Sequence, residues 1–111
     1  MTTVFGLIIE GKLPSKKVFE NERILAIEDI HPAAPVHILI IPKKEIRDLQ
    51  SIEEEDLPLI GEIVAVAQKL AEEYEITEGY RLLTNNGPIA GQTVFHLHFH
   101  LLGGRPLGIM G

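Results

Sequence analysis

The chemistry in this chain is concentrated in residues 91–104, GQTVFHLHFHLLGG. His96, His98 and His100 alternate with apolar residues. Successive side chains of a strand point to opposite faces, so the spacing puts three imidazoles on one face. Phe95, Leu97, Phe99 and Leu101 then point the other way, toward a core. Three imidazoles in a row make a poor structural surface, because each brings two ring nitrogens that need partners. Histidine is also the side chain best suited to proton transfer near neutral pH.

Three readings of this face stand side by side. The first is structural, with the histidines on a half-exposed sheet. The second is a metal site, since His-x-His on a strand can chelate zinc or iron. At about 3.3 Å per residue, however, a regular strand separates His96 from His100 by about 13 Å. All three cannot hold one ion without a sharp bend, although two could, aided by His37. The third is nucleophilic catalysis, in which an imidazole nitrogen attacks phosphorus and divides one hard displacement into two easier ones. That role needs a neutral attacking nitrogen and a partner that fixes the tautomer. It also needs donors aimed at the phosphoryl oxygens. Gln92, Thr93 and the backbone near Gly91 lie just before the histidines, where they can serve.

These residues must be positioned by regular elements, and the pattern predicts them. Thr3 caps a short helix over Val4–Glu10, ended by Gly11 and Pro14. Lys17–Glu20 and Arg23–Asp29 read as a hairpin about Asn21-Glu22. Val36–Ile41 is a nearly continuous apolar run stopped by Pro42, which predicts a central strand. Ser51 and Glu54 have the spacing of a capping box. Asp56 is placed to cap the main helix, with Pro58 in its first turn. Leu57, Ile60, Ile63, Val64, Ala67 and Leu70 form its apolar face, and the helix runs to about Tyr74. Gly79–Asn85 and Val94–Leu102 complete the strands, with a turn at Asn86-Gly87. The expectation is one α+β domain over residues 1–111: an antiparallel sheet of about five strands, one long helix and a short N-terminal helix.

Composition limits the partners. The formal charge of −6 argues against extended contact with a nucleic-acid backbone, which needs a basic footprint. A nucleotide remains possible, because it needs only a local site. The absence of cysteine removes disulfides and thiolate metal centres. The apolar run Val4–Ile9 is too short for a signal peptide or a membrane span. A cytoplasmic protein with no membrane association is expected.

His96-Leu97-His98-Phe99-His100-Leu101-Leu102 resembles the signature of the histidine-triad family, in which histidines alternate with hydrophobic residues. Gly103-Gly104-Arg105 is similar to its nucleotide-binding Hint branch, the purine nucleoside phosphoramidases. Val4-Phe5-Gly6, Ile8-Ile9, Pro14, Ala26 through Ile30, Ala34 through His37 and Ile41-Pro42-Lys43 extend the resemblance over nearly the whole chain. It implies that His98 is the nucleophile, and that His96 and His100 orient it and contact the phosphate. His37 then joins the relay from a neighbouring strand. Gln92, Thr93, Asn85 and Gly91 would bind the phosphate or leaving group. Asp29 would accept both ribose hydroxyls, and Phe5, Ile8, Ile27 and Ile30 would form the slot for the base. The implied protein is a homodimer that needs no metal or organic cofactor. The implied reaction is hydrolysis of nucleoside 5′-phosphoramidates through a nucleotidyl-histidine. The alternatives are a dinucleoside polyphosphate hydrolase of the same family and a nucleotide-sensing or scaffold protein with incidental catalysis. Two segments depart from the pattern. Asn86–Ala90 is less polar and less glycine-rich than expected, and Leu107–Gly111 lacks the tryptophan and proline common in this branch.

Overall fold

A computed structural model of the chain describes residues 3–111. Five strands form one antiparallel sheet: β1 (Lys17–Glu20), β2 (Ile24–Glu28), β3 (Val36–Pro42), β4 (Tyr80–Leu83) and β5 (Phe99–Gly103), in the order β1-β2-β3-β5-β4. A short helix, α1 (Val4–Ile9), precedes the sheet, and a long one, α2 (Leu57–Glu73), connects β3 to β4. This is the expected α+β architecture.

Period-two alternation divides the sheet into two apolar faces. Ile24, Ala26, Ile38, Ile40 and Leu101 pack with Ile63, Val66, Ala67, Leu70 and Ala71 of α2. Leu25, Ile27, Leu39 and Ile41 point the other way, onto Phe5 and Ile8 of α1. The apolar runs of β2 and β3 are continuous because both faces are covered. Thr3 caps α1 as expected, its hydroxyl accepting from the Gly6 N–H at 3.0 Å.

Three local expectations are corrected. The buried stripe of α2 consists of Ile63, Val66, Ala67, Leu70 and Ala71, whereas Leu57 and Val64 are exposed. Asp56 does not cap α2 with its side chain. Its carboxylate instead takes the Glu53 N–H at 3.0 Å and the Lys44 ammonium at 2.5 Å. The capping pair is therefore Glu53 with Asp56, and Ser51 donates its hydroxyl to Asp48 at 2.7 Å.

The third correction concerns the histidine strand. β5 begins at Phe99, so His96 and His98 lie before it rather than within a strand over Val94–Leu102. The β3–β5 register ends at the Ile40–Phe99 pair, and its continuation would set Leu97 against Pro42. Proline has no N–H to offer a ladder. The Pro42 carbonyl accepts from His96 Nε2 at 2.7 Å, and the Leu97 N–H donates to the Ile46 carbonyl at 2.7 Å. The chain leaves the sheet where its ladder partner is lost.

Candidate active site

Adjacent strands bring three chemical groups together. The Asp29 N–H donates to the His37 carbonyl at 3.0 Å, extending the β2–β3 ladder by one pair. His37 is two residues before Leu39, which pairs with His100 on β5. Asp29, His37 and His100 therefore share the face that carries α1. Their ligand-capable atoms all lie within 4.8 Å of one another.

Hydrogen bonds fix which ring nitrogens carry protons. The Ala33 N–H donates to His37 Nδ1 at 3.0 Å, so that nitrogen holds a lone pair. Neutral His37 then carries its proton on Nε2 and donates it to His100 Nδ1, 2.9 Å away. His100 must in turn carry its own proton on Nε2. His98 donates from Nδ1 to the His96 carbonyl at 2.7 Å, leaving a lone pair on Nε2. The bend before β5 thus gives His98 a backbone acceptor that a regular strand would have placed in a ladder. The Thr84 hydroxyl, donating to the His98 carbonyl at 2.7 Å, holds the same turn from just beyond β4.

Burial keeps these rings neutral. Desolvation lowers the pKa of His98, opposed by the bond to His96. It lowers His100 furthest, to about 4, helped by the neighbouring His98 and His37. His37 is also lowered by burial, although Asp29 opposes the shift. The 3.4 Å approach of His37 Nε2 to Asp29 Oδ2 is accordingly a polar contact with a neutral ring. The other Asp29 oxygen accepts from the His31 N–H at 2.8 Å.

In front of the histidines lies a cavity of about 390 Å³. Phe5, Ile8, Ile27, Asp29, Ile30, Thr93, His98 and His100 are among its walls. Phe5 meets the His98 ring edge-on, with centroids 4.8 Å apart. The pattern thus combines an apolar slot, a carboxylate and a neutral imidazole with a free nitrogen lone pair. Leu39, Val94, His31 and the Leu13–Ser15 segment also line the cavity and were not anticipated. The signal for Leu39 was its place two residues after His37, on the same face.

The remaining expected residues lie elsewhere. His37 is behind His100 rather than on the cavity wall. His96 is fully buried, away from the cavity, and reaches His98 through its carbonyl. Its Nδ1 has no hydrogen-bond partner. Gln92 is also buried, with its side chain engaged by backbone. It accepts from the Gly87 N–H at 2.7 Å and donates to the carbonyls of Arg47 and Val94 at 3.0 and 3.1 Å. Asn86 accepts from the Gln50 N–H at 2.8 Å, so the loop before the histidines is fastened to the segment after β3. Gly91, at φ +98°, turns the backbone beside Asn85, and neither lines the cavity.

The Asp29–His37–His100 cluster is the place to test for a metal. Metal-bound histidines ordinarily donate their second ring N–H to an acceptor. His37 has the opposite arrangement, because its Nδ1 receives an amide proton from Ala33. A metal on Nε2 would force two donors together, so the cluster as built does not suit one.

An antiparallel α+β sheet with a histidine relay beside an apolar, carboxylate-edged cavity defines a histidine-triad site. The chain belongs to the HIT domain family, which it matches over residues 10–107. It is 55% identical over 106 residues to a HIT-like protein of Chlamydia pneumoniae, covering 96% of each chain. A HIT family hydrolase from Clostridium thermocellum superimposes with a TM-score of 0.94 at 52% identity, covering 98% of this chain and 96% of that one. A second, from Legionella pneumophila, has a TM-score of 0.92 at 43% identity over 95% of both chains. Among the described residues no helix is long and apolar enough to cross a membrane.

Proposed function

We propose that the chain is a hydrolase that cleaves purine nucleoside 5′-phosphoramidates through a nucleotidyl group on His98. The observation that carries this reading is the His98 tautomer. Its Nδ1–H is tied to the His96 carbonyl, and its Nε2 lone pair belongs to a ring on the cavity wall. His98 Nε2 attacks the α-phosphorus, and the phosphorus–nitrogen bond of the substrate breaks as the departing amine takes up a proton from solvent. Water then attacks the same phosphorus and gives up a proton to solvent, the bond to Nε2 breaks, and the nucleoside monophosphate leaves. His100 donates from Nε2 to a phosphoryl oxygen, and Thr93 adds a hydroxyl from the facing wall. Donors held in place before the reaction stabilise charge without reorganising. Asp29 accepts from the ribose hydroxyls, and Phe5, Ile8, Ile27 and Ile30 hold the base.

The two relatives described as hydrolases support hydrolysis over a purely sensory role. A homodimer in which the two sheets run together goes with this reading. Steady-state turnover of adenosine and guanosine phosphoramidates, set against a dinucleoside polyphosphate, tests it. Faster turnover of the phosphoramidates is expected. Preference for the polyphosphate would favour the other hydrolase of the family, and no turnover of either would favour a sensing or scaffold role.

A further inference from the structure

Arg105 is the only residue of the Gly103-Gly104-Arg105 segment with a long polar side chain, and the cavity is not where it goes. Its Nη2 donates to the Ala33 carbonyl at 2.8 Å, and its Nη1 donates to the Pro106 carbonyl at 2.8 Å. Ala33 is thus pinned at both of its peptide groups: its carbonyl by Arg105 and its N–H by His37 Nδ1. Gly104 brings the two segments together. It sits at φ +96°, and a Cβ there would lie 2.9 Å from the Pro35 side chain. Only glycine tolerates both conditions.

Ala33 is an exposed loop residue. A free loop amide there would exchange partners with water. Water can either donate to or accept from His37 Nδ1, so it selects neither tautomer. A fixed amide can only donate. We infer that Arg105 is a positioning residue that fixes the histidine relay: it holds the Ala33 amide, which sets the His37 tautomer and, through it, presents the His100 proton on Nε2. The guanidinium is suited to the task because one planar group reaches two carbonyls at once. The same arrangement sets an amide donor at His37 Nδ1, which does not suit a metal on Nε2.

The catalytic part of this inference rests on the proposed reaction, but the tautomer part does not. Long-range proton–nitrogen NMR on the full-length protein, without substrate, reports which nitrogen of each histidine is protonated. Wild type is expected to show a single Nε2–H form at both His37 and His100. Arg105→Ala should give mixed tautomers at His37, with the His98 signals unchanged. Arg105→Lys should restore most of the wild-type pattern. On a phosphoramidate, Arg105→Ala should lower kcat by roughly two- to tenfold, the range of one net hydrogen bond, with KM nearly unchanged. A single His37 tautomer in Arg105→Ala would overturn the inference, as would a loss expressed in KM alone. If wild type turned over no phosphoramidate while the tautomer shift still appeared, the reaction would be wrong and the positioning role right.

Discussion

The inner wall of the site and its rim are built differently. On the inner wall and just behind it, the backbone fixes the tautomers of His98 and His37, and His100 follows from His37. On the rim, Ile30 is 86% exposed, and outside the cavity Ile109 is 99% exposed and Ile89 fully. Arg81 holds the tail by donating to the Gly108 carbonyl at 2.9 Å. A buried polar network must be satisfied to be stable, so one chain specifies it fully. A rim of unpartnered apolar groups carries no such demand. The contrast teaches that the groups of the proposed chemistry are held in place by the chain's own backbone, whereas the exposed apolar groups are not part of that network.

The largest effect should come from the inner wall. His98→Ala is expected to lower turnover by about 10⁴-fold or more, as removal of a nucleophile does. Nucleoside monophosphate binding, measured by calorimetry, should survive. Turnover within tenfold of wild type would sink the nucleophile assignment.

Asp29→Ala comes next. Loss of a charged acceptor costs about 1.5–3 kcal/mol. Ribonucleotides should weaken by that amount and 2′-deoxy analogues by much less. Equal weakening of both would remove Asp29 from the ribose site.

A smaller effect is expected from pH. Protonated His98 cannot attack, and protonated His100 would turn a donor toward His37. Because burial lowers these pKa values, the rate should hold steady through the ordinary histidine value of 6.5 and fall at lower pH, with His100 itself protonating only near about 4. Stability follows the same sign. A neutral buried histidine binds fewer protons than its unfolded counterpart, so its contribution is complete above pH 6.5 and declines as pH falls toward about 4. A rate profile with its midpoint at an unshifted histidine value would contradict the burial argument.

The smallest effect belongs to the C-terminal tail. Deleting Leu107–Gly111 should change relative rates among alkyl and aryl amines without altering nucleotide binding, since these residues do not line the cavity. With no aromatic ring in this tail, the intact protein should accept both amine types at similar rates. Sharp discrimination by the intact protein would show that some other surface chooses the leaving group.

Much of this was legible from residue patterns. Val36–Pro42 announced β3 through an apolar run ended by proline, and α2 ended within a residue of the expected Tyr74. The histidine segment was legible in type but not in shape. Alternation suggested a strand through His96, yet the partner that a ladder required was Pro42, and only the β3–β5 register reveals that clash. Gln92 shows the same limit. Its place beside Thr93 suggested a phosphate ligand, but its side chain is taken up by Gly87, Val94 and Arg47, the last of them 45 residues away. The stripe of α2 drifted because Leu57 and Val64 fit the helical period while the core beneath is met by Leu59, Ile60, Ile63, Val66 and their successors. Hydrophobic period finds a face, and packing decides its edges.

The central claim is a covalent bond between phosphorus and His98 Nε2. Rapid acid or base quench of wild type with a radiolabelled adenosine phosphoramidate, followed by peptide mapping, tests it directly. The account predicts a transient adenylyl group on the peptide carrying His98, formed equally well after prolonged chelation and absent from His98→Ala. Turnover that proceeds with no trapped nucleotide, and that is lost on chelation and restored by zinc, would contradict it.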